Sequence, residues 1–199
     1  MTDATYVRTD VIPLNELTPF PGNAKRGEVP VILDSLRRNG QYRSLIARQI
    51  PDGPLVVLAG NHTAQALDAH GAGPCSFTVT VEGEERPCGV CRGQEWTPSA
   101  RCEVILCDDT TARRINLVDN KAADLGTYDR DALAELLSYL EDDGYAGSGY
   151  TEGEVMAIVH ALPPQDLDDG PAEFPAFDED LPTQYTCPKC TYSWSGKPS

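Results

Sequence analysis

The residues of this chain with the clearest chemistry lie in one run of ten, Leu58-Ala59-Gly60-Asn61-His62-Thr63-Ala64-Gln65-Ala66-Leu67. The apolar stretch Leu55 to Ala59 stops at a glycine and a small-residue helical pattern follows. Gly60, Asn61, His62 and Thr63 are therefore predicted to stand where a strand hands over to a helix. The first N–H groups of such a helix lack backbone partners and carry the positive end of its dipole, which suits an anion, and His62 and Thr63 add side-chain donors beside them. The plain alternative is that Gly60 only turns the chain, because the glycine spacing of a P-loop or a dinucleotide-binding turn is absent.

The seven cysteines are the second set of chemistry-bearing residues. Cys187-Pro188-Lys189-Cys190, followed by Tyr192 and Trp194, has the tight turn that presents two thiolates to one tetrahedral zinc ion. Two further ligands are required. In one arrangement Cys88-Gly89-Val90-Cys91 supplies them, giving a site of Cys88, Cys91, Cys187 and Cys190 across 95 intervening residues, far beyond the ribbon spacing of about 15–20. In the other, Cys75, Cys88, Cys91 and Cys102 form a Cys₄ site and tails from two chains share another ion. Cys107 reads as a small core residue, and free thiols throughout are the plain alternative.

The elements that must position these residues alternate between strand and helix. Val11-Ile12-Pro13-Leu14 is a short extended segment, and Pro19, Pro21 and Gly22-Asn23 make a turn-rich loop. A helix follows, with Pro30 in its first turn, Val29, Ile32, Leu33 and Leu36 on one face, Arg37 and Arg38 in its last turn and Gly40 as its stop. Ser44 to Gln49 and Leu55 to Ala59 read as strands around Pro51-Asp52-Gly53-Pro54. The helix from Asn61 ends at Gly71, Cys102 to Leu106 is a further strand, and Asp108-Asp109 leads a helix through Ala112, Ile115, Leu117 and Val118. Asp129 caps a helix with the stripe Leu133, Leu136, Leu137 and Leu140. Thr151-Glu152-Gly153-Glu154 is a capping box ahead of Val155, Ile158, Val159 and Leu162.

The domain reading is a core over residues 10–125, with a cysteine-containing insertion at 74–101, then a helical hairpin extension at 126–162. A Pro-rich acidic linker at 163–184, too polar to pack, and a zinc-knuckle-like tail at 185–199 complete it. Charge is distributed unevenly. Residues 1–130 hold 14 Lys/Arg and 17 Asp/Glu, a net of −3, whereas residues 131–199 hold 2 and 14, a net of −12. Duplex DNA affinity comes mainly from phosphate neutralisation, so the isolated chain is expected to bind DNA weakly, although seven basic residues against four acidic within 8–48 allow a locally positive face. The acidic tail suits a protein partner. No run approaches 18 apolar residues and the first residues lack a secretory pattern, so a reducing cytoplasm, without membrane contact, is expected. There an odd number of cysteines favours thiols and metal ligands over disulfides.

Five segments in this order resemble the ParB/sulfiredoxin superfamily, in particular the short ParB-like N-terminal-domain proteins of phages and mobile elements. They are Ile12-Pro13-Leu14-Asn15-Glu16-Leu17, Asn23-Ala24-Lys25-Arg26-Gly27-Glu28, Asn39-Gly40-Gln41-Tyr42-Arg43-Ser44-Leu45-Ile46, Leu58-Ala59-Gly60-Asn61-His62-Thr63 and Leu117-Val118-Asp119-Asn120-Lys121. The resemblance covers about residues 10–162 apart from the insertion. It implies an α+β (α/β-like) fold with a mixed sheet and surrounding helices, in a bacterial cell or phage-infected host. It also implies that Gly60, Asn61, His62 and Thr63 form a phosphate-binding turn, that Asn120 and Lys121 approach the same phosphates, and that Arg43 and Ser44 help hold a nucleotide. Two departures matter. The partition-protein version has arginines where this chain has His62 and Thr63, which leaves the base open, and the sulfiredoxin catalytic cysteine is replaced here by Asn61.

The resulting expectation is a module that binds a nucleoside triphosphate, with Mg²⁺ as its companion, and serves phage or plasmid DNA transactions through partner contacts, with a homodimer in view. An enzyme on the same fold is the alternative, a metal-dependent nuclease or a small phosphotransferase. In it Glu28 would hold Mg²⁺ or act as a base, against its ordinary role of offsetting a helix dipole. A DNA-binding adaptor is the weaker third reading, since no helix-turn-helix pattern stands out.

Overall fold

The computed structural model describes residues 3–81, 83–140, 144–161, 185–186, 188–189 and 193–194. The chain divides into two compact units, Met1–Leu162 and Pro163–Ser199.

The first unit is built on a five-stranded mixed sheet in the order β1-β7-β3-β4-β2. Its strands are β1 (Thr5–Pro13), β2 (Leu17–Pro19), β3 (Leu45–Gln49), β4 (Leu55–Ala59) and β7 (Ser99–Leu106). β1 pairs antiparallel with β7 and β3 with β4, while β3 runs parallel to β7 and β2 parallel to β4. The central strands β3, β4 and β7 carry the buried residues Leu45, Ala47, Val57, Leu58 and Val104. Burial on both faces explains why β4 reads as the continuous apolar run Leu55-Val56-Val57-Leu58-Ala59 rather than an alternation.

β1 is longer than the Val11–Leu14 segment expected from sequence. Of its residues only Ile12 is buried, so the strand carries no apolar period; its β-branched residues and its pairing with β7 hold it extended at the sheet edge. β7 likewise begins at Ser99, inside the stretch read as insertion, because Ala100 and Cys102 face the core and the short apolar signal starts late.

Helix α1 (Val29–Asn39) follows its sequence punctuation, with proline near its start, Arg37 and Arg38 in its last turn and Gly40 ending it at φ +72°. Helix α2 (Asn61–His70) packs beside α1 on the sheet. Helix α3 (Asp109–Leu125) starts at Asp108, whose side chain accepts from Thr111 N. Its Ala112 and Asn116 are buried, but Leu117 and Val118 are exposed, so the inward face is set by 112, 115 and 116 rather than by the apolar pair.

The insertion contains a hairpin, β5 (Thr78–Val81) and β6 (Glu84–Pro87). Beyond the core, α4 (Arg130–Ser138) is capped by Asp129 and α5 (Glu152–Val159) by the capping box of Thr151 and Glu154. The two pack on each other, and Ala134, Leu137 and Val155 are the buried residues of the pair, while Leu136 of the expected stripe is exposed. Their connection touches the core at α1, where Asn39 Nδ2 donates to Gly147 O at 3.4 Å.

In the second unit β8 (Tyr185–Thr186) pairs antiparallel with β9 (Ser193–Trp194). The acidic linker 163–184, Leu162, Cys187 and Cys190 lie outside the described residues. Among the described residues no helix is long and apolar enough to cross a membrane.

Candidate functional site

Gly60 is the N-cap of α2 and adopts φ +86°, the left-handed conformation that admits glycine without strain. Space imposes the same choice, since a Cβ there would stand 2.6 Å from Leu45 Cδ2. No side chain caps the helix, and the first helical bond runs from Ala64 N to Gly60 O at 3.0 Å. The backbone donors of the first turn thus face a cavity of about 160 Å³ lined by residues including Arg43, Ser44, Gly60, His62, Thr63, Asn116, Asp119 and Asn120.

The side chains around this turn divide into those that build it and those that face the cavity. Asn61 builds it. The residue is 6 % exposed, and its amide is held on both sides, with Oδ1 accepting from Phe20 N at 3.0 Å and Nδ2 donating to Val57 O at 3.1 Å, so its backbone N–H is the group it best offers an anion. Asn116 plays the matching role from α3, donating to Leu58 O at 2.9 Å. Asn120 Nδ2 donates back to Asn116 O at 2.8 Å, the ordinary helical step of four residues, while the residue lines the cavity.

His62 is held from outside the turn. Its Nε2 accepts a 2.9 Å hydrogen bond from Gly27 N, which fixes that nitrogen as the unprotonated one and places the ring proton on Nδ1. Arg43 and Ser44 come from the loop before β3, and Gln41 stitches that loop to β7. Gln41 Oε1 accepts from Arg101 N at 2.8 Å, and its Nε2 donates to the carbonyls of Arg101 and Arg43. Ser44 Oγ accepts from Arg101 Nε at 3.0 Å. Arg43 itself is 73 % exposed at its side chain and donates to Asp119 at 2.9 Å.

Two candidates from the sequence stand elsewhere. Lys121 is exposed on α3 and does not line the cavity among its described residues, one position past Asn120 and rotated away by the helix. Glu28 is the exposed N-cap residue of α1, beside Gly27 but outside the cavity lining. Conversely, Lys25 pairs with Asp124 at the end of α3 and holds that carboxyl below its usual range, which ties the 23–27 loop across the site. Asn116, Asp119 and Gln41 were not singled out from sequence. Polar residues at 116, 119 and 120 that continue the helix face begun by the apolar 112 and 115 are the available signal.

Among the described residues, His70, Cys75, Cys88 and Cys91 bring one ligand atom each within 4.8 Å of one another, a group able to hold a metal ion. His70 takes the place expected for Cys102. Cys102 is buried in the sheet on β7, its thiol turned to Ala100 O at 3.4 Å, because a strand in the core projects it into packing rather than toward the insertion. Cys107 is half-buried after β7.

The strand order, the placement of α1 and α2 and the turn at Gly60 can be set against known structures. The C-terminally truncated chromosome-partitioning protein ParB from Caulobacter crescentus, complexed with CTP-γ-S, superposes with a TM-score of 0.56 and 16% identity, over 79% of this chain and 81% of that one. The fold is ParB-like. Weaker likenesses are to a Pnob8-like ParB-N domain, with a TM-score of 0.41, 15% identity and coverage of 69% and 45%, and to the truncated Caulobacter protein complexed to the centromeric parS site, with a TM-score of 0.38, 14% identity and coverage of 76% and 64%. No family model and no curated protein sequence matches the chain. The ParB-like fold places the Gly60 turn on an inner strand, β4, between β3 and β2, with α3 closing one side of the cavity.

Proposed function

We propose that this chain binds a nucleoside triphosphate, seating its phosphates on the first turn of α2, and serves a DNA-partition-like process through partner contacts. The observation that carries the reading is the uncapped start of α2, opened by Gly60 in the left-handed conformation, at a cavity whose walls bring Arg43, Ser44 and Asn120 to the same space. Unpaired backbone donors, the helix dipole and one guanidinium together are the usual requirements of a phosphate subsite. The likeness in fold to a ParB structure solved with CTP-γ-S agrees with this reading.

The chain departs from a partition-protein turn in presenting neutral His62 and Thr63, so Arg43 supplies the charge that arginines in the turn would supply. Asp119 competes for that charge in the free protein. It is also the single carboxylate among the described lining residues, which suits one Mg²⁺ carried in with a triphosphate and argues against a two-metal nuclease. Glu28 stands outside the described lining of the cavity, which weighs against it as the base of a phosphotransferase.

Thermal denaturation of the full chain with ATP, CTP, GTP and UTP, with and without Mg²⁺, tests this. A ligand at about 100 times its Kd stabilises the folded state by about 2.7 kcal/mol, which for a domain of this size raises Tm by about 2–4 °C per kcal/mol. One nucleotide is expected to stabilise the protein more than the others. If none does so at millimolar concentration, the reading fails.

A further inference from the structure

The insertion and the helices beside it carry a second site that is independent of the nucleotide reading. His70 is the last residue of α2, Cys75 follows the turn after it, and Cys88 and Cys91 bracket the tight turn after β6. Cys88 is 0 % exposed and Cys91 4 %. With His70 and Cys75 half-buried and the other two thiols buried, four soft or borderline donors brought within 4.8 Å of one another form a set that one metal ion can satisfy.

Spacing agrees with one ion in particular. Cys75 Sγ lies 3.6 Å from Cys91 Sγ, and Cys88 Sγ lies 3.4 Å from His70 Nε2. A tetrahedron with Zn–S near 2.3 Å and Zn–N near 2.0–2.1 Å has edges of about 3.8 Å between sulfurs and about 3.6 Å between sulfur and nitrogen. The sulfurs are far beyond the ~2.05 Å of a disulfide. The histidine is prepared for the role as well. Its Nδ1 lies 2.8 Å from Gly71 O, so Nδ1 carries the proton and Nε2 presents a lone pair toward the thiols, with Trp96 fixing the ring edge-on at 5.1 Å.

The turn also touches α1 and α2, two of the three helices that line the cavity at the Gly60 turn. Gly89 N donates to Arg37 O at 2.6 Å in the last turn of α1, and a Cβ on Gly89 would stand 2.6 Å from Gly40 N. His70 ends α2, whose opposite end is the Gly60 turn about 15 Å away at 1.5 Å per residue. We propose that His70, Cys75, Cys88 and Cys91 bind one structural Zn²⁺ that fastens the insertion to the C-terminal ends of α1 and α2. All four positions of the tetrahedron are filled by the protein, which leaves no place for water or substrate and marks the ion as structural.

The test uses the full chain carrying Cys187→Ser and Cys190→Ser, so that the tail thiols contribute nothing. Purified from zinc-supplemented medium, it should contain one zinc per chain, and Cys91→Ser or Cys88→Ser should lose it while Cys102→Ser keeps it. Should the first two variants fail to fold, cobalt titration of the demetallated protein reads the site directly. The spectrum of a tetrahedral ion with three thiolates is expected, and His70→Cys should shift it to that of four. Hydrogen exchange should rise in the last turns of α1 and α2 and at 88–94 when zinc is withdrawn. A chain without stoichiometric metal, a zinc content indifferent to Cys88 and Cys91, or a cobalt spectrum unmoved by His70→Cys would overturn the proposal.

Discussion

The ring of His62 and the backbone of Gly27 meet at van der Waals limit: Nε2 accepts from Gly27 N at 2.9 Å, and a Cβ on Gly27 would lie 2.7 Å from His62 Cγ. A glycine is therefore required there by the approach of an aromatic ring. The contact orients the first turn of α2 from the loop ahead of α1, so one residue in the 23–28 segment controls the geometry of the proposed phosphate seat.

Gly27→Ala is accordingly expected to push the ring off its donor. Overpacking of this kind costs about 1–3 kcal/mol, and the nucleotide-dependent rise in Tm should shrink with it. Gly153→Ala is the control, because a Cβ there meets nothing within 4 Å; in a helix it should be neutral or stabilising by up to about 1 kcal/mol. Denaturant melts of both variants decide the matter. Equal stability of the two would mean that the ring has room to move.

Much of this arrangement was legible in the sequence, and the exceptions share a physical reason. Helix α1, the turn at Gly60, Asp108, Asp129 and the Thr151 capping box are local signals, and local signals survive in one dimension. The first part of β1, Thr5 to Asp10, escaped because an exposed stretch of edge strand has no apolar period to read. His70 escaped because it looked like the last residue of a helix, and nothing in the order of residues shows that the chain returns 18 positions later with Cys88. The side-chain bonds of Asn61 to Phe20 N and Val57 O were not legible, since a sequence does not distinguish an amide that faces a cavity from one that faces the strand behind it.

Asn61→Ala should therefore lower stability rather than affinity. It strips the half-buried Phe20 N–H of its acceptor and removes the bond to Val57 O, a loss of about 1–3 kcal/mol. Nucleotide affinity measured by calorimetry well below Tm is expected to change by less than about threefold, since each factor of ten needs about 1.4 kcal/mol at the ligand itself. A large loss of affinity with unchanged Tm would assign the amide to the ligand after all.

Asp119→Asn should do the reverse. The Arg43–Asp119 pair is solvent-exposed on the arginine side, and such pairs contribute about 0–1 kcal/mol to stability. Removing the carboxylate frees the guanidinium for phosphate, so triphosphate binding without Mg²⁺ should tighten several-fold, while Arg43→Ala should weaken it by about tenfold, as loss of one charge-assisted bond predicts. With Mg²⁺ present the Asp119→Asn advantage should diminish if the carboxylate helps to seat the ion. Titrations of the two variants in parallel, with and without Mg²⁺, separate these contributions.

Alkaline stability carries a signature of Cys102. Burial pushes its thiol from 9.0 up to about 11, with the carboxylate of Asp10, its cross-strand partner, adding to the rise. Between those two values the unfolded chain has released the proton and the folded chain retains it, so the folded state binds more protons and its stability falls as pH rises. Below pH 9 the contribution is fully present; by pH 11 it is gone. At about 1.4 kcal/mol per pH unit the loss is at most about 3 kcal/mol across the window. Denaturant melts at pH 8 and pH 10.5 should show a smaller decline in Cys102→Ala than in the parent, even though the variant starts lower for want of the buried sulfur. Parallel declines in the two proteins would show that the thiol ionises without opening the sheet at β7.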